Sequence, residues 1–209
     1  MEDIKQLKKL YKLKKKEIIS RIKEFEKINI NNKEKIFSEL CFCILTPQSK
    51  AKKCWDAIIN LNKKNLLSKG TYNEIQDCLK GNVRFHKNKT VYIINAQKYI
   101  SEIKNILNNS KDSCLLREYI VKNIKGLGYK EASHFLRNIG LGQNLAILDR
   151  HILKNLLKYK VISNIPKTLT KKNYLNIEKE MLSFSNKIDI PMEHLDLLFW
   201  SIQTGEVFK

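Results

Sequence analysis

The turn formed by Gly126, Leu127 and Gly128 constrains the fold of this chain strongly, because apolar residues recur at helical spacing on both sides of it. The upstream helix is predicted to follow an N-cap at Asp112, with apolar positions at Leu115, Leu116, Tyr119, Ile120 and Ile124. The downstream helix is predicted to run to Gly140, with apolar positions at Ala132, Phe135, Leu136 and Ile139. Both glycines can adopt positive φ and let another backbone approach. The sequence therefore predicts a helical hairpin whose second helix begins with unpaired N–H groups suited to a DNA phosphate.

Two residues near this turn suggest chemistry. Lys130 follows Gly128 by two residues, and Asp149 follows Lys130 by nineteen. A simple αα-corner, with a phosphate-contacting lysine and an aspartate that caps a helix, would also explain them. The combination favours a second interpretation, in which the Lys130 amine is a nucleophile and the Asp149 carboxylate stabilises a positive charge.

The stretch IKGLGYKEASHFLRNIG from Ile124 to Gly140, followed by AILDRH from Ala146 to His151, resembles the helix-hairpin-helix DNA glycosylase/AP lyase superfamily. Three further features resemble its compact type-2 8-oxoguanine DNA glycosylases of archaea and thermophiles. These are LTPQSKA at 45–51, VRFHKNK at 83–89, and a chain that stops shortly after Trp200.

The resemblance implies an all-α, two-lobed fold with an active-site cleft between the lobes. It makes 1–209 a single glycosylase unit and 112–140 its helix-hairpin-helix motif. Lys130 would form an imine with the sugar, so that the same lysine supports base excision and strand cleavage by β-elimination. The implied substrate is double-stranded DNA containing damaged guanine, bound by a monomer.

Further residues are assigned to DNA through the same resemblance. Gly126, Gly128 and His151 would contact the backbone, Gln48 would lie near the gap left by the flipped nucleotide, and Arg84 and Phe85 would contact or wedge the duplex. On the last predicted helix, Met192, Leu195, Phe199 and Ile202 form an apolar face, which leaves Trp200 on its flank with Asp196 and Gln203. Trp200 and Asp196 are therefore candidates for a base pocket, because a flipped base needs a stacking surface and polar partners.

The chain end is also a candidate for recognition. The tail Gly205–Lys209 is expected to pack back on the protein. The Lys209 carboxylate could then accept a hydrogen bond from N7–H, which 8-oxoguanine has and guanine lacks. A frayed terminus is the ordinary alternative.

Charge agrees with a polyanionic partner. The chain has 40 Lys and Arg against 21 Asp and Glu, a net charge of +19, spread along its length. A solvated lysine-rich surface, which an A+T-biased genome can produce, would give the same balance.

Localisation and cofactors follow from what the sequence contains. The N-terminal residues Met1 to Lys16 form an amphipathic, lysine-rich helix without the apolar core of a signal peptide, and no membrane segment is predicted. The five cysteines are scattered and odd in number, which predicts reduced core thiols in a cytoplasmic, nucleoid-associated protein. They lack the clustered C-terminal spacing of an iron–sulfur site, so no cofactor and no metal are expected.

The remaining sequence is predicted to be helical, with almost no strand signal. Helices are expected near 33–46, 49–61, 72–79, 88–108, 150–159, 170–187 and 191–204. Ser49, Thr71 and Thr170 are candidate N-caps, and Pro191 a first-turn residue.

Two other functions stay open. The same chemistry could act on another damaged base, such as an oxidised pyrimidine. A non-catalytic helix-hairpin-helix module would bind DNA without cutting it, although such a module has no need of Lys130 paired with Asp149.

Overall fold

A computed structural model describes residues 2–209, and within that range the chain is helical and contains no strand. The helices are α1 (Glu2–Glu26), α2 (Lys33–Leu45), α3 (Ala51–Lys63), α4 (Leu66–Lys69), α5 (Tyr72–Leu79), α6 (His86–Gln97), α7 (Ile100–Asn109), α8 (Ser113–Asn123), α9 (Tyr129–Asn138), α10 (Arg150–Lys158), α11 (Lys171–Ile188) and α12 (Met192–Thr204). The all-α prediction is confirmed. None of these helices combines the length and the apolar character that crossing a bilayer requires.

The chain divides into two compact units. The middle unit is Ile28–Phe135 and contains α2 to α8. The terminal unit is Met1–Lys27 together with Leu136–Lys209 and contains α1, α10, α11 and α12. Helix α9 begins in the middle unit and ends in the terminal one.

Helix α2 is the centre of the middle unit. Every residue from 36 to 45 is buried, and α2 packs against α3, α6 and α7. A helix that is buried on every side must be enclosed by others. Its first turn is fixed by Asn32, whose side chain accepts a hydrogen bond from the Lys35 N–H.

Helix α12 is the centre of the terminal unit, where it packs against α1, α10 and α11. Its apolar face includes Leu195 and Phe199, and the Phe199 ring stacks on Tyr159 at a centroid distance of 5.5 Å. Ile202, which was predicted to share this face, is instead 36% exposed because it lies in the last turn of the helix.

Some predicted boundaries are wrong. The stretch 88–108 is two helices, because a tight turn at Lys98 and Tyr99 interrupts it without any glycine or proline. Ser49 does not cap α3; Lys50 occupies that position, and Ser49 makes other contacts described below. Pro191 precedes α12 as its N-cap residue.

Among the remaining predicted caps and apolar positions, some are confirmed and others are wrong. Thr71 forms a capping box with Glu74, and Thr170 caps α11, as predicted. Leu115, placed on the apolar stripe of α8, is 64% exposed. Cys41, Cys43 and Cys54 are buried free thiols, whereas Cys78 is half-buried and Cys114 exposed, so the prediction of core thiols holds for three of the five.

Candidate active site

The hairpin turn between α8 and α9 has the predicted local structure. The Asp112 side chain accepts hydrogen bonds from the Cys114 and Leu115 N–H groups at 2.8 and 3.1 Å and so caps α8. Gly126 has φ +92°, and a Cβ atom there would overlap the Tyr92 ring. Glycine is therefore required at position 126 both by backbone conformation and by close packing.

Gly128 has a different role from the one predicted, because it does not adopt positive φ. Its carbonyl accepts the first hydrogen bond of α9, from the Ala132 N–H. Its own N–H points to Oε2 of Glu131 at 3.3 Å, the same carboxylate oxygen that a Cβ on Gly128 would touch. A side chain there would crowd this contact.

Glu131 is a site residue that sequence reasoning missed. Its Oε1 lies 3.2 Å from the Lys130 amine while its Oε2 holds the Gly128 N–H. An acidic residue three positions after an N-cap is a recognised helix-start signal, so the spacing from Gly128 could have revealed it. A DNA phosphate that binds the Gly128 N–H must compete with this carboxylate.

Lys130 lies in the first turn of α9 with its side chain about one quarter exposed, so its amine is shielded but reachable. Burial lowers the pKa of Lys89, and the positive charge of Lys130 acts in the same direction; burial raises the pKa of Cys54, and the Lys130 charge partly opposes that rise.

Asp149 is the N-cap of α10 in the terminal unit. Its Oδ1 accepts hydrogen bonds from the His151 N–H at 2.7 Å and the Ile152 N–H at 2.8 Å. The structural interpretation of Asp149 as a cap is thus correct. It does not compete with a chemical role, because both cap bonds use one oxygen and the residue is half-exposed.

Two residues of α11 fix the segment that leads to Asp149. The Tyr174 hydroxyl donates to the Ala146 carbonyl at 2.5 Å, and Glu178 Oε2 accepts from the Ala146 N–H at 2.8 Å. The segment 145–148 is buried. Neither anchor has a local sequence signal, since each contacts a residue about thirty positions away.

His151 is half-buried beside Asp149. Its Nε2 accepts a hydrogen bond from Arg150 Nε at 3.2 Å, which leaves the proton on Nδ1. That Nδ1 is buried and has no hydrogen-bond partner among residues 2–209.

The predicted duplex-contacting residues of the middle unit lie on two exposed turns. Gln48 follows α2 and Phe85 precedes α6, and both have left-handed backbones, with φ 55° and 56°. Phe85 is 51% exposed, and the Arg84 guanidinium lies 5.3 Å from its ring centroid. Non-glycine residues rarely adopt this conformation, which occurs in this chain also at Asn65, Lys160 and Asp189.

Lys89 is buried beneath these turns. Burial lowers its pKa to about 8, and the charges of Lys130 and Arg84 act in the same direction, while Cys54 opposes them. Its ordinary value is 10.5, so between pH 8 and 10.5 the unfolded chain binds more protons at this position than the folded chain. The free energy of unfolding must therefore rise with pH across that window.

We expect the wild type to gain about 1 kcal/mol of stability from Lys89 between pH 7 and pH 9, a gain that Lys89→Met lacks. Urea unfolding of both proteins at the two pH values measures the difference, and groups common to both cancel. An identical pH response of the two proteins would show that Lys89 titrates normally.

The three predicted base-pocket residues belong to the terminal unit. Trp200 is half-buried, with its ring 6.5 Å from that of Phe208. The tail packs back as predicted, because Val207 is buried and its N–H donates to Glu17 Oε1 at 3.3 Å. Lys209 is half-buried.

Asp196, predicted to lie on the flank of α12 beside Trp200 as a base-pocket residue, is buried. It is 6% exposed, and its Oδ2 lies 4.0 Å from Arg137 Nη2. The side chain is therefore engaged inside the terminal unit.

The site residues thus fall into two groups. Gln48, Arg84, Phe85, Gly126, Gly128 and Lys130 belong to the middle unit, and Asp149, His151, Asp196, Trp200 and Lys209 to the terminal unit. Within residues 2–209, no three His, Cys, Asp or Glu side chains are grouped so that they could hold a metal ion.

Comparison with known proteins gives one consistent result. A family model described as 8-oxoguanine DNA glycosylase matches residues 18–190. An 8-oxoguanine DNA glycosylase/AP lyase of Fusobacterium nucleatum is 46% identical over 215 residues, covering 100% of this chain and 98% of that protein. One of Methanocaldococcus jannaschii is 37% identical and covers 99% of each.

Solved structures agree with these relatives. The crystal structure of a Methanocaldococcus jannaschii 8-oxoguanine glycosylase/lyase in complex with 15mer DNA containing 8-oxoguanine superposes with a TM-score of 0.92 at 36% identity, over 100% of both chains. That of the Thermotoga maritima 8-oxoguanine DNA glycosylase gives 0.90 at 31% identity, over 100% of this chain and 99% of that one.

Proposed function

Because this chain belongs to the 8-oxoguanine DNA glycosylase family, we propose that it excises 8-oxoguanine from double-stranded DNA and then cleaves the strand at the abasic site. The observation that carries the proposal is the similarity, over the whole chain, to a glycosylase/lyase whose solved complex contains 8-oxoguanine DNA. Lys130 and Asp149 supply the side chains that such a reaction needs.

In the proposed reaction, the neutral Lys130 amine attacks C1′ of the damaged nucleotide. The bond from C1′ to N9 breaks, and the base leaves with the electron pair and takes up a proton. Asp149 stabilises the positive charge on the sugar through its carboxylate. Loss of the amine proton and opening of the sugar ring give an imine between Nζ and C1′.

The imine then allows strand cleavage. It acidifies the C2′ proton, whose removal expels the 3′ phosphate as the bond from C3′ to O3′ breaks. Water hydrolyses the imine and releases Lys130. One amine thus serves both steps, while Glu131, 3.2 Å from Nζ, holds it in place before DNA binds.

The geometry of the middle unit supports a duplex substrate. Gly128 directly precedes α9, and its N–H can bind a DNA phosphate that displaces the Glu131 carboxylate; the chain also carries a net charge of +19. We propose that the protein acts as a monomer, since one chain supplies both Lys130 and Asp149. We also propose that it works in the cytoplasm on the nucleoid.

A panel of duplexes, each with one lesion, tests the substrate. It contains 8-oxoguanine opposite each of the four bases, an oxidised pyrimidine, undamaged guanine and a preformed abasic site. We expect cleavage of 8-oxoguanine and abasic duplexes but not of the guanine duplex. Preferential cleavage of the pyrimidine lesion would instead support the alternative substrate, and binding without cleavage of any duplex would support a non-catalytic module.

The chain end provides a prediction about lesion recognition. In a protein that ends at Lys209, appending one glycine moves the terminal carboxylate, whereas Lys209→Ala leaves a carboxylate at the same backbone position. We expect the appended residue to slow 8-oxoguanine excision about 10- to 100-fold, as loss of a hydrogen bond to a charged group would. Cleavage of a preformed abasic site should change little, because no base need be recognised.

Lys209→Ala is the matched control and should keep most of its excision rate. Deleting Phe208 and Lys209 should resemble the appended residue, since Phe208 also contacts Trp200. If the extended chain excised 8-oxoguanine at the wild-type rate, the terminal carboxylate would not be part of the base pocket.

A further inference from the structure

Lys89 is a buried cation with a complete set of partners. Its side chain is 4% exposed. Its Nζ donates to the Leu45 carbonyl at 2.7 Å, the Pro47 carbonyl at 2.7 Å and the Ser49 hydroxyl at 3.0 Å. An ammonium group has three N–H donors, so these three acceptors use all of them.

The three acceptors belong to one turn. Leu45 is the last residue of α2, and Pro47 and Ser49 flank Gln48 on either side. The Lys89 charge therefore binds the C-terminus of α2, where a cation is favoured, and the turn that follows it.

Ser49 extends the contact to a second turn. Its Oγ also accepts a hydrogen bond from the Arg84 N–H at 3.1 Å. One hydroxyl thus joins the turn that carries Gln48 to the turn that carries Phe85, over a sequence separation of 35 residues.

Both joined turns carry an exposed residue in a strained conformation. Gln48 and Phe85 have left-handed backbones, each costing on the order of 1 kcal/mol or more, and such residues persist where surrounding contacts hold them. The hydrogen bonds of Lys89 and Ser49 lie directly beside both strained residues. We define Lys89 and Ser49 as the clamp.

We propose that the clamp is a positioning device for lesion recognition, holding Gln48 and Phe85 in place to fill the duplex when the damaged nucleotide leaves the stack. This inference rests on the proposed function. The Lys89 amine does not react, because it is buried and all its donors are engaged. Its effect is transmitted through the two turns.

The clamp itself can be tested without activity. Lys89→Met keeps an unbranched side chain of similar length but removes all three N–H donors. Ser49→Ala removes the bridging hydroxyl with a smaller loss of packing. Hydrogen exchange of the amides of residues 46, 48–50 and 83–87 should accelerate together in both variants. The control Lys98→Met removes an equal charge from the exposed far end of α6 and should leave both segments unchanged.

Single-turnover rates then test the role of the clamp. We expect both variants to excise 8-oxoguanine from a duplex roughly 10- to 100-fold more slowly, the loss typical of a misplaced functional group. Cleavage of a preformed abasic duplex should fall less than threefold. An 8-oxoguanine opposite an abasic site should restore much of the excision rate, because the lesion is already unpaired.

A double-mutant cycle identifies the route of the effect. If Lys89 acts through the two turns, Lys89→Met should add little in a background that already carries Gln48→Ala and Phe85→Ala. Ser49→Thr, which keeps the hydroxyl, should rescue the loss seen in Ser49→Ala.

Three results would overturn the inference. Unchanged exchange in both segments would show that no clamp exists. Equal losses of rate on the 8-oxoguanine and abasic duplexes would show that Lys89 has a purely structural role. Additive losses of excision rate in the double-mutant cycle would show that Lys89 does not act through Gln48 and Phe85. Failure of the wild type to cleave 8-oxoguanine duplex would instead contradict the proposed function, while hydrogen exchange would still decide whether the clamp exists.

Discussion

Lys130→Gln is expected to abolish covalent trapping of the protein on 8-oxoguanine duplex in the presence of borohydride. Borohydride reduces an imine to a stable amine, so only an enzyme with a reacting nitrogen is captured. Glutamine keeps the approximate length and polarity of lysine but has no nucleophilic amine. We expect a fall of more than about 10³-fold in excision and in strand cleavage, as in other enzymes that lose their nucleophile.

The structure indicates that this variant should keep its fold. Lys130 is partly exposed in the first turn of α9, and the change removes its contact with Glu131 and a positive charge that acts on Lys89 and Cys54. The Glu131 contact with the Gly128 N–H is unaffected. Gel-shift binding of the duplex should therefore remain close to wild type.

Lys122→Gln is a suitable control, because Lys122 is an exposed lysine in the last turn of α8 and the substitution removes the same charge from the same hairpin. It should trap normally. Trapping of Lys130→Gln in wild-type yield would place the imine on another amine and refute the proposed nucleophile.

Local sequence signals predicted much of this molecule. The Asp112 cap, the hairpin glycine at position 126 and the Asp149 cap each depend on residues no more than a few positions apart. Such contacts form wherever the chain turns into a helix, so spacing alone identifies them. Helix α11, expected near 170–187 and observed at Lys171–Ile188, was found because its apolar face repeats at every turn, whereas α1, predicted over Met1 to Lys16, continues to Glu26.

The parts that sequence reasoning missed depend on distant contacts. Lys89 stands in the sequence as one lysine among many, and only the fold shows that it is buried against the turn after α2. Tyr174 and Glu178 hold the segment before Asp149 from another helix. No periodicity encodes a contact between elements that are separated in the chain.

The other errors concern which side chains on a helix are buried and which are exposed. Leu115 and Ile202 fit the apolar stripes of their helices, yet both lie near a helix end where no neighbouring helix covers them. Asp196, in contrast, is a carboxylate that the pattern placed on the flank of α12 beside Trp200, and it is buried beside Arg137. Helical spacing gives the direction of a side chain but not whether another element covers it.

The second large effect is expected at Asp149. Asp149→Asn should reduce 8-oxoguanine excision about 100- to 1000-fold, the range seen when an enzyme loses one electrostatic contact to the transition state. The carboxamide oxygen can still accept the bonds from the His151 and Ile152 N–H groups, so α10 keeps its cap. Measured on the same preparation of Asp149→Asn, the single-turnover excision rate should therefore fall while the equilibrium affinity for the duplex stays close to wild type.

Asp112 makes the comparison decisive, because it caps α8 through the same two kinds of hydrogen bond and has no proposed chemical role. Asp112→Asn and Asp149→Asn are the same change at two N-caps, and both should alter the free energy of unfolding by only a few tenths of a kcal/mol. If capping were the whole function of Asp149, the two variants would be equally active. Since the carboxylate charge, not the cap, is proposed to stabilise the sugar cation, we expect Asp112→Asn to excise at the wild-type rate while Asp149→Asn does not.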